Sequence, residues 1–180
     1  MEQNSIIKIA VVGPESTGKT WLCEALAKHY QTVWVPEYAR EYFNQSDIYN
    51  YTLSDLELIA RKQIESENEL LIKANRFLFC DTTLITLKIW ADLEFNTTLA
   101  SIEEELVKRH YDLYLITNTD IPWHKDEQRQ NKFNRNRIFE MNLELLAKSQ
   151  IPHAIISGKE ELRLYSAIEQ IDNKWNKQVD

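Results

Sequence analysis

The sequence predicts an α/β fold in three layers, a parallel sheet of about five strands with helices on both faces. Three observations carry this. Short apolar runs rich in β-branched and aromatic residues recur at 6–12, 32–35, 76–81, 112–117 and 153–157, and helical spacing occupies every interval between them. The runs are nearly continuous in apolar character, as in strands buried on both faces. Directly after the runs come clusters of polar, chemistry-bearing residues, where ligands sit on such sheets.

The elements follow in order. "IIKIAVV" (6–12) reads as the first strand, and a helix is expected from Lys19 to about Tyr30 on the spacing of Trp21, Leu22, Ala25 and Leu26. "TVWV" (32–35) is a second strand, stopped by Pro36. A long amphipathic helix is expected from about Leu53 to Asn75, capped by Thr52 or Ser54, with Leu56, Ile59, Ala60, Gln63, Ile64 and Leu70 along one side. "RFLFCD" (76–81) is a third strand that ends on an aspartate. Helices through "LITLKIWADLEF" and near 100–109 lead to the strand "DLYLIT" (112–117). The segment from about 124 to 149 reads as mostly helical, and "HAIIS" (153–157) is the last strand. Gly158 turns it into a terminal helix of about 160–177. With no internal repeat, low-complexity tract or linker, residues 1–180 are expected to form a single domain.

Composition narrows the function classes. The chain is 43% hydrophobic and 27% charged, which excludes a disordered chain. A formal charge of −7 argues against a dedicated nucleic-acid binder. The N-terminal apolar run has no basic stretch before it and is too short for a signal peptide or a membrane span, so a cytoplasmic protein without a membrane partner is expected. Cys23 and Cys80 lie inside apolar patterns and read as small core residues. Of three glycines, Gly13 and Gly18 fall within one eight-residue loop, which suggests backbone conformations that other residues supply poorly.

That loop, "GPESTGKT" (13–20), matches G-x-x-x-x-G-K-[ST] in full, with the required strand before it and helix after it. Its successive backbone N–H groups are built to wrap a β-phosphate, helped by the partial positive charge of the helix N-terminus. A P-loop NTPase fold is therefore expected. The nucleotide contacts fall to Gly13, Glu15, Ser16, Thr17, Gly18, Lys19, Thr20 and the adjoining Trp21. Lys19 would reach the β- and γ-phosphate oxygens of ATP, and the Thr20 hydroxyl would ligate Mg²⁺.

A guanine-nucleotide switch would need a D-x-x-G motif, but Ala10, Glu15 and Ile155 stand three residues before the three glycines. "TNTD" (117–120) occupies the place of N-K-x-D but has Asn118 where lysine is expected. A non-catalytic binding module is thereby disfavoured against a small-molecule kinase. Such a kinase needs an acid or base near the acceptor, a metal-holding carboxylate and cations that close over the phosphoryl group.

Each is present at a strand end. In "VPEYAREY" (35–42), Glu37 is placed to act as general base beside an acceptor hydroxyl, with Tyr38, Arg40 and Glu41 following. "FLFCDTT" places Asp81 as a Walker B carboxylate, a Mg²⁺ ligand or a partner of a substrate hydroxyl, and the choice of base between Glu37 and Asp81 stays open. The locally basic segment 120–137 suits a lid over about 120–140, with Arg129 as its leading cation, Arg135 and Arg137 behind it, and Asp126 facing the substrate. Trp123, and with it Tyr38 and Tyr42, could stack on a planar base, whereas Trp34 and Trp90 read as core. Gln63 could hydrogen-bond a base edge or be a satisfied buried glutamine. His29, His110, His124 and His153 show no metal-ligand spacing. Purine, pyrimidine or pyridine acceptors all remain open, as do ATP against GTP and the oligomeric state.

Taken together, "GPESTGKT", "EYAREY", "FCDTTLITLKIW" and "DIPWHKDEQR" resemble the nicotinamide riboside kinase domain of bifunctional bacterial NAD-biosynthesis proteins and its stand-alone relatives. The resemblance extends from about Lys8 to the terminal helix. It implies a kinase of the nucleoside and nucleoside-monophosphate type that transfers the ATP γ-phosphate to the 5′-hydroxyl of nicotinamide riboside, a small-molecule partner, giving nicotinamide mononucleotide. By that resemblance Lys19 and Thr20 serve ATP and Mg²⁺, Glu37 and Asp81 face the ribose, and Arg129 belongs to the lid. The bifunctional proteins also carry an adenylyltransferase domain with an H-x-G-H site, and no histidine here lies two residues before a glycine. With no sequence ahead of the kinase strand, neither NAD synthesis from the product nor transcriptional repression is expected of this chain alone.

Overall fold

A computed structural model describes residues 5–124 and 134–175. Five strands, β1 (Ile7–Val12), β2 (Trp34–Val35), β3 (Phe77–Asp81), β4 (Leu113–Thr117) and β5 (His153–Ile156), form one parallel sheet in the order β2-β3-β1-β4-β5. Seven helices are described: α1 (Lys19–His29), α2 (Tyr38–Phe43), α3 (Leu53–Leu71), α4 (Leu84–Phe95), α5 (Ala100–Lys108), α6 (Arg135–Lys148) and α7 (Glu161–Trp175). The expected three-layer α/β architecture is found.

Strand alternation divides the core. Ile9 and Val11 point to one face, where they pack with Leu22 and Leu26 of α1, Phe77 and Phe79 of β3, and Ile171 of α7. Ala10 and Val12 point to the other, against Leu78, Cys80, Ile89, Ile116, Ile138 and Leu146. Both faces are sealed, which is why these strands read as continuous apolar runs. A third cluster, Ala39, Phe43, Leu56, Ile59, Leu84, Leu87 and Ile102, joins α2 to α5 into a helical flank beside the β2–β3 side. Cys23 and Cys80 are free and fully buried, and burial pushes both thiols up, so they act as apolar filler.

The register sets the site. Val11 lies opposite Asp81 on one side and Leu115 on the other, and Val12 lies opposite Ile116. The next residue of β1's chain, Gly13, therefore emerges beside Thr117, with Asp81 across the opposite seam. The sheet order reverses direction at β1, so the crevice expected of such sheets opens at this point.

Three boundaries differ from the sequence expectation. Helix α3 starts at a Thr52–Asp55 capping box and ends at Leu71, not Asn75, because the chain tightens into turns at Lys73 and Ala74. The short α2 forms within "EYAREYF", where only a helical turn is readable in sequence. Residues 121–124 are irregular and α6 begins at Arg135, while the expected helix began at about 124. Asp126 and Arg129, with the rest of 125–133 at the centre of the proposed lid, lie outside the described residues. No helix among the described residues is long and apolar enough to cross a membrane.

Candidate active site

The loop 13–20 closes over the end of β1. Gly13 has φ +134°, and a Cβ added to it would sit 2.6 Å from Thr117 Oγ1 and 2.8 Å from Thr117 O. Gly18 caps α1 in the left-handed region with φ +78°. Thr17 is fully buried beneath the loop: its hydroxyl donates to Pro14 O at 2.7 Å and shares a 2.6 Å hydrogen bond with Thr117 Oγ1, which in turn reaches Val12 O. The loop is thus pinned from below by a pair of threonines, leaving its upper backbone to a ligand. Gly13→Ala is expected to lower the melting temperature by roughly 6–12 °C, corresponding to about 3 kcal/mol of overpacking in a chain of this size. A thermal scan showing wild-type stability would mean that the close approach to Thr117 is not enforced.

Lys19 and Thr20 open α1. Lys19 Nζ donates to Pro14 O at 3.0 Å, holding its ammonium over the loop. Thr20 Oγ1 donates to Asp81 Oδ2 at 2.5 Å. Asp81 is fully buried at the end of β3, and burial together with the nearby Glu37 carboxylate pushes its carboxyl up to about 6, against the pull of Lys19, the Thr20 hydroxyl and Arg40. Burial is the largest of these influences, and the charges around Asp81 act on it in both directions.

Glu37 ends the β2 turn with a largely buried side chain, 3.4 Å from Arg40 Nε one helical turn on. The pair stands between two recesses. One is lined by Gly13, Pro14, Glu15, Lys19, Thr86 and Trp90, and is completed by Ala39, Phe43, Ile48 and Ile138. The other is lined by Thr20, Asp81, Trp34, Tyr38, Glu41 and Asn44, among others. The turn is held by Gln63, a buried side chain of α3 whose Oε1 accepts from Tyr38 N–H at 2.8 Å and whose Nε2 donates to Pro36 O at 3.2 Å. This corrects the reading of Gln63 as a substrate ligand: its amide is committed at both ends to the backbone that carries Glu37. It is a positioning residue.

On the β4 side, the loop after Thr117 lies against the phosphate loop. His124 N–H donates to Ser16 Oγ at 2.8 Å, and the Arg135 guanidinium reaches Ser16 O at 3.2 Å and Ile121 O at 3.1 Å. Arg137 is exposed. Trp123 is half-buried on this same loop and does not line either recess beside Glu37, so the structure gives no support to its stacking on the acceptor. The aromatic rings that do line the first recess are Phe43 and Trp90, the latter expected in the core and found half-buried at its edge. Trp21 is 40% exposed on α1, and Tyr38 stands in the second recess. Tyr42 does not stack on a ligand site: its hydroxyl bonds to Asp55, which ties α2 to the capping box of α3. Asp120, at the start of the basic segment, is held by Arg163 and by Gly158 N–H.

Thr117, Thr86, Phe43 and Ile138 carry no sequence signal for a site role. Thr117 acquires its place through strand register, and Thr86 through its position one helical turn before Trp90. Among the described residues, no group of three or more His, Cys, Asp or Glu side chains is arranged to hold a metal alone. A hard divalent cation here would take one or two protein oxygens, from Thr20 and Asp81, and complete its shell with phosphate and water.

Comparison with known proteins agrees with this fold. A protein family described as an AAA domain matches residues 8–163. The trifunctional NAD biosynthesis/regulator protein NadR of Escherichia coli (strain K12) is 24% identical over 148 residues, which cover 79% of this chain and 36% of that protein. A crystal structure of NadR in complex with NR matches with a TM-score of 0.82 at 21% identity, covering 98% of this chain and 52% of that one. A second, in complex with NAD and AMP-PNP, gives 0.76 at 22%, covering 98% and 51%. The chain thus spans about a third of the curated relative and about half of each solved chain, and the likeness to the solved chains is one of fold.

Proposed function

The chain belongs to the AAA domain family, and we propose that it is an ATP-dependent kinase that phosphorylates the 5′-hydroxyl of nicotinamide riboside to give nicotinamide mononucleotide. The observation that carries this reading is the meeting of five side chains from three strand ends: Lys19 and the Thr20–Asp81 contact on one side, and Glu37 with Arg40 on the wall of both adjoining recesses. A phosphate donor and an acceptor hydroxyl can approach each other only where such groups share one crevice. The likeness to NadR, one of whose structures contains NR and another AMP-PNP, supports the choice of acceptor and donor.

Mg²⁺ fits the seam by the chemistry of its donors, because the Asp81 carboxylate and the Thr20 hydroxyl, in contact at 2.5 Å, are hard oxygen ligands. Bound between Thr20, Asp81 and the nucleotide, it would neutralise charge on the β- and γ-phosphates. The chain's own residues do the remainder. Backbone N–H groups of 15–18, beyond Pro14, which has none, receive the β-phosphate. The Lys19 ammonium, held over the loop by Pro14 O, exchanges that carbonyl for phosphate oxygens. Glu37 accepts the 5′-hydroxyl proton as the ribose oxygen bonds to the γ-phosphorus. The bond from that phosphorus to the bridging oxygen breaks, and ADP leaves with the electron pair. Arg40 keeps Glu37 oriented and lowers the cost of two carboxylates in one crevice. We assign Arg129 and Arg135 to the closing lid and Asp126 to the acceptor side, in a single cytoplasmic kinase domain.

The test is a mass-spectrometric assay of purified protein with Mg-ATP and a panel of nicotinamide riboside, common nucleosides, deoxynucleosides and nucleoside monophosphates. Nicotinamide mononucleotide is expected as the dominant product. Another phosphorylated nucleoside would keep the mechanism and replace the acceptor. No product, with ATP still bound, would favour a nucleotide-binding module instead.

A further inference from the structure

Helix α4 starts three residues after Asp81 and runs beside the first recess. Thr86 and Trp90 are four residues apart on it, so they share one face, and both line that recess. The intervening Leu87 and Ile89 are buried in the helical flank and against the sheet respectively. The lining of the recess combines two characters: Glu15, Lys19, Glu37 and Arg40 are charged, whereas Phe43, Ile48, Trp90 and Ile138 are apolar or aromatic. Thr86 is the neutral polar side chain among the apolar lining.

Its hydroxyl stands out chemically. Thr86 is 6% exposed, its Oγ1 is sealed from solvent, and among the described residues it has no hydrogen-bond partner. A threonine hydroxyl in a helix commonly bonds the carbonyl four residues back, and here that bond is not made. A dry, unpaired hydroxyl is destabilising, a cost removed when a ligand supplies the missing partner. A threonine side chain is also a poor choice for filling apolar space, since valine has the same shape without that cost.

We propose that Thr86 is a specificity-determining residue of the acceptor site, whose hydroxyl hydrogen-bonds the polar edge group of the acceptor's base while Phe43 and Trp90 cover the ring. The inference rests on the acceptor reading above in placing the 5′-hydroxyl beside Glu37, which directs the base toward the apolar end of the same recess. For nicotinamide riboside the edge group is the carboxamide, which offers both a donor and an acceptor to the hydroxyl.

The experiment compares wild type with Thr86→Val on nicotinamide riboside and on the riboside of unsubstituted pyridine, with thermal stability measured in the free protein. Thr86→Val is expected to raise the KM for nicotinamide riboside about tenfold, with kcat and the KM for ATP little changed, as befits the loss of one neutral hydrogen bond. On the unsubstituted pyridine riboside the two proteins should be equal. The free variant should melt at or above the wild-type temperature, because the hydroxyl satisfies nothing there. Equal KM values on nicotinamide riboside would overturn the inference, as would an equal loss on both ribosides or a clearly lower melting temperature, which would reveal an internal partner. If wild type ignores nicotinamide riboside but phosphorylates another nucleoside, the acceptor reading fails by itself. The same comparison is then made on that nucleoside and its analogue lacking the base's edge group, with the same outcomes deciding. If wild type takes no acceptor at all, both fall together.

Discussion

Lys19→Ala is expected to reduce phosphoryl transfer by at least about 10³-fold, about 4 kcal/mol of transition-state stabilisation, while the melting temperature moves by only a few degrees. The asymmetry follows from the two things Lys19 does. In the free protein it makes one hydrogen bond, to Pro14 O at 3.0 Å, from a partly exposed position, and such a bond contributes about 1 kcal/mol. In the proposed transfer its ammonium leaves that carbonyl for the β- and γ-phosphate oxygens. It also draws the Asp81 carboxyl down, so its loss leaves burial and Glu37 to push that group further up. The variant should therefore lose affinity for Mg-ATP as well as turnover, measured by calorimetric titration alongside single-turnover kinetics. Near-normal turnover would remove the phosphate loop from the mechanism. Unfolding, by contrast, would show that Lys19 holds the loop together.

Much of the fold is legible in sequence because both faces of the sheet are buried. That condition makes strands such as "IIKIAVV" and "RFLFCD" continuous apolar runs, and the helices between them keep a solvent face that reveals their period. The order β2-β3-β1-β4-β5 is less legible, since β1 must insert between β3 and β4 and no single strand's composition announces its neighbours. Local effects below the length of a helix also escape. The six residues of α2 are too few for a periodic signal, and the end of α3 at Leu71 depends on turns at Lys73 and Ala74 that no proline or glycine marks.

At the site, the legible residues are those tied to a strand end: Asp81 closes β3, Glu37 lies two residues beyond β2, and Lys19 and Thr20 belong to the loop-and-helix motif that follows β1, and parallel strands bring such positions to one edge. The rest needs register and packing. Gly13 is recognisable as part of a motif, but its partner Thr117 is 104 positions away and is selected by the pairing of Val12 with Ile116. Gln63 has the same helical phase whether it meets a ligand or the backbone, and only the position of Pro36 and Tyr38 decides for the backbone. Trp123 and Trp90 exchange their expected places for a similar reason. A tryptophan beside a proline in a loop looks available and one in an apolar helix looks buried, yet α4 presents Trp90 in the wall of the first recess while Trp123 is half-buried in its loop and lines neither recess.

Two carboxylates near one crevice invite confusion of roles, and a pair of isosteric amides separates them. Glu37→Gln is expected to lower kcat by about 10²-fold while the dissociation constants of Mg-ATP and the nucleoside change little, because it removes a proton acceptor and keeps the side chain's shape. Asp81→Asn is expected to act on the donor instead. Binding of ATP without metal should stay near wild type or improve, since a buried negative charge is gone, whereas the gain in ATP affinity on adding Mg²⁺ should largely disappear. The geometry favours this division. Asp81 is fully buried and already committed to Thr20 at 2.5 Å, the partner it shares at the metal seam. Glu37 stands on the walls of both recesses with Arg40 at 3.4 Å to orient it, within reach of a hydroxyl entering from the Trp90 side. If Asp81→Asn lowers kcat with metal-dependent ATP binding intact, and Glu37→Gln merely raises the nucleoside KM, the roles are reversed: Asp81 takes the proton and Glu37 is a ribose ligand.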